Sequence, residues 1–352
     1  MFYMTQKIQS DMRFIKNMKN NKLGICIPTY NRAKLLDTCL SRIVPQVKKY
    51  NIPIFISDNA STDNTEEIVR KYKENYDYIF YKRNPQNIGL DPNFEAVLKF
   101  ADTEYRWLLG DDDSFFDGSL ERLLKIIKQE NFDLIVVNAG RPIDKKRPEK
   151  GIKERRVKMI NSKKFTDKNE LLENLGWHMT LLSSLIFNKD LIENTDFSRY
   201  RNTNFLQVGI SFEYLGRKDN INVYWEAEPI VYTFNELGPI GASWFPKIIK
   251  IFCEDWFNVI SSLPPSYKAK SKLKCIKEHD KKTGVFSIPR LLNIRSFGYI
   301  NKDIYKHYKV YFPFVMNIPL WLIFFISIFP QNIAKFIRNV YLKSKGIKFD
   351  DV

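Results

Sequence analysis

The chain has 352 residues, 44% of them hydrophobic, enough to bury one large core or one domain with a substantial extension, which excludes a disordered chain. Lys and Arg outnumber Asp and Glu 56 to 40, and the resulting +16 suits anionic partners: nucleic acid, an acidic membrane surface or a phosphorylated substrate. Four cysteines with no close-spaced pair (Cys26, Cys39, Cys253, Cys275) and only three histidines argue against a structural zinc site and fit reduced thiols in a cytosolic compartment.

Residues 1–20 are mixed polar, with an early acid and no continuous apolar core, so no secretory signal is expected there. Residues 23–27 form a short apolar run that ends at Pro28-Thr29-Tyr30-Asn31, a strand followed by a loop. Leu35, Leu36, Cys39, Leu40, Ile43 and Val47 then recur at helical spacing. The cycle repeats with a strand over 52–56, a loop over 58–65 and a helix over 66–76, Thr62 or Asp63 being placed to cap it. Further strands are predicted over 78–81, 105–109 and 134–137, with helices over 94–101 and 120–129. Such alternation implies an α/β fold with a mainly parallel sheet covered on both faces. Residues 141–164 carry eleven Lys or Arg against three acids, with little periodicity, and fit a solvated surface loop or one that orders on an anionic ligand. Strands over 181–187 and 221–232 end the α/β part near residue 235.

The remainder differs in kind. Helices are predicted over 245–263, 267–281 and 288–297, the middle one strongly basic. Residues 310–334 then contain no charged side chain, a length that satisfies the rule for a bilayer span. Pro313, Pro319 and Pro330 oppose one straight span. Beyond them, Ile333, Phe336, Ile337 and Val340 lie beside Lys335, Arg338 and Lys343, as in an interfacial helix. Attachment to a membrane by this tail, interfacial or re-entrant, is the preferred expectation over a full span or a buried hairpin.

The strand over 105–109 leads directly into Gly110-Asp111-Asp112-Asp113. In open α/β sheets ligands bind beyond the carboxyl ends of the strands, where this loop converges with residues 29–32 and 58–63. Three adjacent acids repel one another and make physical sense around a divalent cation. A nucleoside diphosphate carries its charge on such a Mg²⁺ or Mn²⁺ ion, which also stabilises the diphosphate as a leaving group. Blander roles stay open: Asp58 and Asp63 as turn or cap residues, Asn87 and Gly89 as a turn, and the triplet as a polar loop with Ser114 or Asp117 capping the next helix.

Four segments in order, Ile27-Pro28-Thr29-Tyr30-Asn31-Arg32, Ser57-Asp58-Asn59-Ala60-Ser61-Thr62-Asp63, Asn84-Pro85-Gln86-Asn87-Ile88-Gly89 and Trp107-Leu108-Leu109-Gly110-Asp111-Asp112-Asp113, resemble the motif series of family 2 glycosyltransferases. The Gly-Asp-Asp-Asp form most resembles the abequosyltransferase-like branch, bacterial enzymes that extend surface polysaccharides. The resemblance covers roughly residues 22 to 190. It implies the GT-A nucleotide-diphospho-sugar transferase fold, with Thr29, Tyr30 and Arg32 lining the nucleotide site, Asp58 at the base or ribose, Asn59 among the residues that bind the nucleotide sugar, and Asn87 and Gly89 beside the sugar. Asp111 and Asp113 take the place of the Asp-x-Asp metal motif; because Gly110 stands where the commoner form has its first aspartate, Asp112 is an equal candidate ligand. The family inverts the anomeric carbon and needs a general base, usually in an acidic motif further on. That match fails here: Glu254-Asp255 lies too far along, and Asp196, then Glu213, are the candidates, with His178 a further one of suitable ordinary pKa.

The expected organisation is an N-terminal extension (1–21), a GT-A domain (22–238) and a C-terminal helical region (239–352) with the membrane-associating segment 310–334. The expected activity is metal-dependent, inverting transfer from a nucleotide-sugar donor to a glycan on a polyprenyl diphosphate, at the inner face of the cytoplasmic membrane. A nucleic-acid-binding or scaffold protein is the alternative from another class, but no such motif is present and the acidic triplet opposes it. A nucleotidyltransferase would need a glycine-rich phosphate loop, and residues 28–33 contain no glycine.

Overall fold

The computed structural model describes residues 22–234 and 244–344. The expected N-terminal extension and the boundary at 238 lie outside the described residues. Two compact units emerge, one from residues 22–168, 178–202 and 206–234, the other from 169–177, 203–205 and 244–344.

In the first unit, β1 (Leu23–Thr29), β2 (Ile54–Asp58), β3 (Ile79–Arg83) and β4 (Tyr105–Leu108) run parallel in the order β3-β2-β1-β4. Every residue of β1 and β2 is buried, which is why both are continuous apolar runs rather than alternating ones. Helix Ala33–Lys48 buries the expected stripe, Leu36, Cys39, Leu40, Ile43 and Val47, in a core shared with Ile25, Ile27 and Trp107. Helices Thr65–Lys73 and Leu90–Phe100 complete the strand–helix alternation.

Beyond β4 the sheet departs from the mainly parallel expectation and is mixed. The ten strands include β5 (Asp113–Phe115), β6 (Leu134–Pro142), β7 (Ile152–Arg155), β8 (Lys163–Phe165), β9 (Leu185–Asn188) and β10 (Val223–Thr233). β9 sits antiparallel between β4 and β6, β10 is parallel to β6, and β5 is antiparallel to β10. Hydrophobic periodicity says that a segment is a strand but not which way it runs, so this half was not legible from pattern alone.

The basic stretch 141–164 is not simply a solvated loop. β7 pairs with β6 and β8 with β10, and Arg155 reaches Glu228 at 2.5 Å while Lys164 reaches Glu130 at 2.5 Å. Helix Leu206–Gly216 was not expected; nine of its eleven residues are buried, so it shows no amphipathic period.

The second unit is helical. A π-helical turn at Lys250–Asp255 leads into helix Trp256–Ser261, and Trp256 Nε1 donates to the Ile276 carbonyl (3.2 Å) of helix Ala269–Thr283. Helices Ile288–Ser296, Lys302–Tyr308, Phe312–Val315, Leu320–Ile328 and Gln331–Ser344 follow. Breaks fall at Pro319 and Pro330, and no single helix among the described residues is long and apolar enough to cross a membrane. All four cysteines are buried and free.

Candidate active site

The loops that leave β1, β2 and β4 meet at their carboxyl ends and are tied by side chains. Asn31, in the left-handed region at φ 51°, donates its backbone N–H to Ser61 Oγ (2.8 Å), and its Oδ1 accepts from the Thr62 N–H (2.7 Å). Asp63 bonds the Thr65 hydroxyl (2.6 Å) at the start of its own helix, and it also accepts from the Ala33 N–H (2.9 Å), serving the first helix as well. Asp58 accepts from the Ser61 N–H (2.9 Å) and from the Tyr81 hydroxyl (2.6 Å), so both its oxygens hold the β2 loop in shape. Burial first, and then this carboxylate, push the Tyr81 phenol well up, keeping it a donor.

The third motif joins through amides. Asn59 Nδ2 donates to Asn87 Oδ1 (2.8 Å) and to the Gly89 carbonyl (3.1 Å), while its Oδ1 accepts from the Ile88 N–H (2.9 Å). Gly89 has φ 93°, a conformation a side chain would strain, and it opens helix Leu90–Phe100. Asn84, the first residue of the third segment, and Asn93, which sequence reasoning did not single out, complete the network through a 3.0 Å bond, and Asn93 accepts from Ser57 Oγ at 2.7 Å. The run of small polar residues at 57–62 and the segment 84–89 were the signal for this network; its partner at 93 lies outside both.

The three aspartates do different things. Asp111 is 2% exposed and accepts from Thr29 Oγ1 (2.8 Å) and Arg32 Nη1 (2.5 Å). Asp112 keeps 24% of its side chain exposed and accepts from Arg32 Nη2 at 2.8 Å, so one guanidinium bridges two carboxylates. Asp113 points inward as the first residue of β5: Ser183 and Thr233 both donate to it at 2.5 Å, and Ser183 Oγ also accepts from the Gly110 N–H (2.8 Å). A side chain at Gly110 would meet the Asp113 carboxylate at 2.9 Å, which explains a glycine before the triplet. Burial pushes the Asp111 carboxyl up to about 7 against the pull of Arg32, with Asp112 adding to the rise. Asp113 moves in the same direction, from burial first and then the Asp112 charge, despite its two hydroxyl donors. The Arg32 cation, although burial alone would lower its pKa, is held further up by the aspartates.

Asp111, Asp112 and Asp113 stay the candidate ligands for a divalent cation, and each also accepts hydrogen bonds from neighbouring side chains. No group of three or more metal-ligating side chains is assembled among the described residues. Asp113 spends both oxygens on Ser183 and Thr233, and Asp111 spends both on Thr29 and Arg32. Mg²⁺ at phosphate sites is usually held by one or two carboxylates together with substrate phosphates, which this cluster can supply without a group of three free ligands.

The candidate bases are each engaged by neighbouring groups. Asn188 at the end of β9 lies opposite Tyr105 at the start of β4, so the chain leaves β9 at the end of the sheet remote from Asp111. Asp196 follows there and closes a turn by accepting from the Ser198 N–H and hydroxyl, both at 2.9 Å. Glu213 accepts from Tyr200 (2.8 Å), Arg199 (3.0 Å) and Arg217 (3.3 Å). Burial lowers His178 to about 3, the nearby Arg156 charge adding to this, and its Nε2 is 2.9 Å from the Val137 carbonyl, a core histidine rather than a proton carrier. Of the expected site residues, then, Thr29, Arg32, Asp111 and Asp112 meet directly, Asp58, Asn59, Asn87 and Gly89 build the adjoining loops, and Tyr30, two residues before Arg32, stands 41% exposed.

Comparison with known proteins agrees with this layout. The family model "Glycosyl transferase family 2" matches residues 24–195. Abequosyltransferase RfbV of Salmonella typhimurium is 45% identical over 100 residues, 28% of this chain and 30% of that protein. The GalNAc(5)-diNAcBac-PP-undecaprenol beta-1,3-glucosyltransferase of Campylobacter jejuni is 34% identical over 106 residues, 30% of this chain and 34% of that protein. These matches span about a third of the relatives' own lengths. The crystal structure of S. aureus TarS 1-349 covers 93% of this chain and 93% of its own, with a TM-score of 0.52 at 16% identity; it shows that the fold is shared, and the same protein has been crystallised with UDP-GlcNAc. The strand-end loops that close on the arginine–aspartate cluster fall within residues 24–195, the part of the chain that the glycosyl transferase family 2 model identifies as a domain of that family.

Proposed function

We propose that this protein transfers a sugar from a nucleotide-sugar donor to a glycan acceptor carried on a polyprenyl diphosphate, with inversion at the anomeric carbon, in the synthesis of a bacterial surface polysaccharide or glycoprotein glycan. The observation that carries the proposal is the Arg32 guanidinium bridging Asp111 and Asp112 at the ends of β1 and β4, a paired cation and carboxylate site where α/β sheets bind nucleotides. Asp58, Asn59 and Tyr30 lie on the loops that would take the base and ribose, and Asn87 and Gly89 on the loop beside the sugar. A Mg²⁺ or Mn²⁺ ion held by Asp112 and the diphosphate would neutralise charge on the leaving group. The acceptor hydroxyl displaces the diphosphate from the opposite face of the sugar and gives its proton to a general base.

The name of one relative supports the acceptor class: it is a GalNAc(5)-diNAcBac-PP-undecaprenol glucosyltransferase. A lipid-borne acceptor places the enzyme at the inner face of the cytoplasmic membrane. We assign donor and acceptor chemistry to residues 22–238 and membrane association to the helical region from 239 onward.

Calorimetry with a panel of nucleoside diphosphates and nucleotide sugars, with Mg²⁺ or Mn²⁺ present and absent, tests the proposal on wild type and Asp112→Asn. Binding of one nucleotide that is strengthened by the metal, with the metal increment lost in the variant, is the expected result. Well-folded wild-type protein that binds no nucleotide would overturn it.

A further inference from the structure

Apolar surface on this molecule is concentrated, not scattered. Of seventeen large hydrophobic side chains exposed among the described residues, eleven fall between Val310 and Val340, so this stretch calls for a partner of its own. On helix Leu320–Ile328 the exposed positions Leu320, Trp321, Phe324, Phe325 and Ile328 share one face, while Ile323 and Ile326 turn inward. On the next helix Ile333, Phe336, Ile337 and Val340 form a second face at spacings of three and four, with Ala334 inward.

The two helices meet at 96°, and the break is held by specific bonds. Arg295 Nε donates to the Phe329 carbonyl (2.7 Å), and Gln331 Nε2 donates to the Ser296 carbonyl (3.2 Å). The Arg338 guanidinium lies over the Phe297 ring at 4.5 Å. Straightening the pair into one span would strip these partners from a backbone that Pro330 already interrupts.

Charge identifies the occupant. Residues 244–344 hold seventeen Lys and Arg against five Asp and Glu, a net +12 out of the chain's +16. Lys306, Lys309 and Lys335 are exposed on the elements beside the apolar faces. Two copies of so basic a surface repel each other, whereas an anionic headgroup layer attracts both the lysines and, through its acyl boundary, the aromatic face. Trp321, 62% exposed, is the residue type that partitions best to that boundary.

We propose that the bent pair Leu320–Ile328 and Gln331–Val340 is an interfacial anchor that lies in the surface of an anionic phospholipid bilayer without crossing it. This sharpens the membrane-surface reading of the previous section and does not depend on the donor chemistry. The test is sedimentation of the full chain with vesicles of phosphatidylcholine alone and of phosphatidylcholine mixed with phosphatidylglycerol. Wild type should bind the mixed vesicles, weaken with added salt, and show Trp quenching by lipids brominated near the carbonyl but little by lipids brominated at the chain end. The triple variant Trp321→Ser/Phe325→Ser/Phe336→Ser, altered only at exposed positions, should fold normally and bind at least about tenfold more weakly. Lys306→Glu/Lys335→Glu should lose the preference for phosphatidylglycerol. Wild type that ignores both vesicles, or a folded triple variant that binds as wild type does, overturns the anchor. A dimer that the triple variant dissolves, without vesicle binding, overturns it in favour of a second copy. Nucleotide calorimetry on the same preparations keeps a failed anchor distinct from a failed transferase.

Discussion

Replacing Asp111 by asparagine should make the metal-free, ligand-free protein more stable at alkaline pH, not less. The Asp111 carboxyl is buried and pushed up to about 7 from an ordinary value of 3.8. The folded protein therefore holds the Asp111 proton more tightly than the unfolded chain, so this contribution to stability is full below about pH 4 and is lost as pH rises through about 7. With 1.36 kcal/mol for each pH unit, the ionised carboxylate costs the fold about 4 kcal/mol by pH 8. Asparagine is close to isosteric, its amide oxygen still accepts from Thr29 or Arg32, and it carries no charge to desolvate. Urea or thermal unfolding in chelator is the assay. At pH 8 Asp111→Asn should unfold about 5 °C or more above wild type, and the gap should close towards pH 4. A variant less stable than wild type at pH 8, by the same margin at every pH, would refute the reasoning, because Asp111 would then be an ordinary paired ion. The physical content is that the site holds an unfavourable buried negative charge at alkaline pH.

Other outcomes follow from the neighbouring contacts. Ser183→Ala removes the donor to Asp113 and the acceptor of the Gly110 N–H, so unfolding should show a loss of about 2 to 4 kcal/mol, larger at pH 8 than at pH 5 because an unpaired Asp113 can protonate at the lower pH. Tyr81→Phe leaves Asp58 without its 2.6 Å partner, and calorimetry should find nucleotide affinity reduced about tenfold with little change in secondary structure. Asp196→Asn and Glu213→Gln should leave turnover near the wild-type value, whereas removing a general base costs roughly a hundredfold or more; a loss of that size in either variant would return it to the reaction.

Several parts of this protein are determined by its sequence alone. β1 and β2 announce themselves because strands buried on both faces must be apolar throughout, and helix Ala33–Lys48 because its stripe repeats every three or four residues. The loop residues at 29–32, 57–63, 84–89 and 110–113 are legible for the same local reason: strand ends need turn-forming and polar residues, and their order along the chain carries the family resemblance. The prolines at 319 and 330 likewise predicted where the apolar tail breaks. What the tertiary structure decided is whatever depends on a partner far along the chain. Asp113 turns inward only because Ser183 and Thr233, 70 and 120 residues away, supply its donors. β9 runs antiparallel to β4, and that direction carries Asp196 to the remote end of the sheet. Helix Leu206–Gly216 is buried nearly all round and so lacks the periodicity that would have revealed it. Arg32 bridges Asp111 and Asp112, and Arg295 fixes the bend at Phe329, through bonds between elements that local pattern cannot register. Local sequence sets which face is apolar and where the chain turns; only folding selects which of many compatible distant groups satisfies each buried charge and carbonyl.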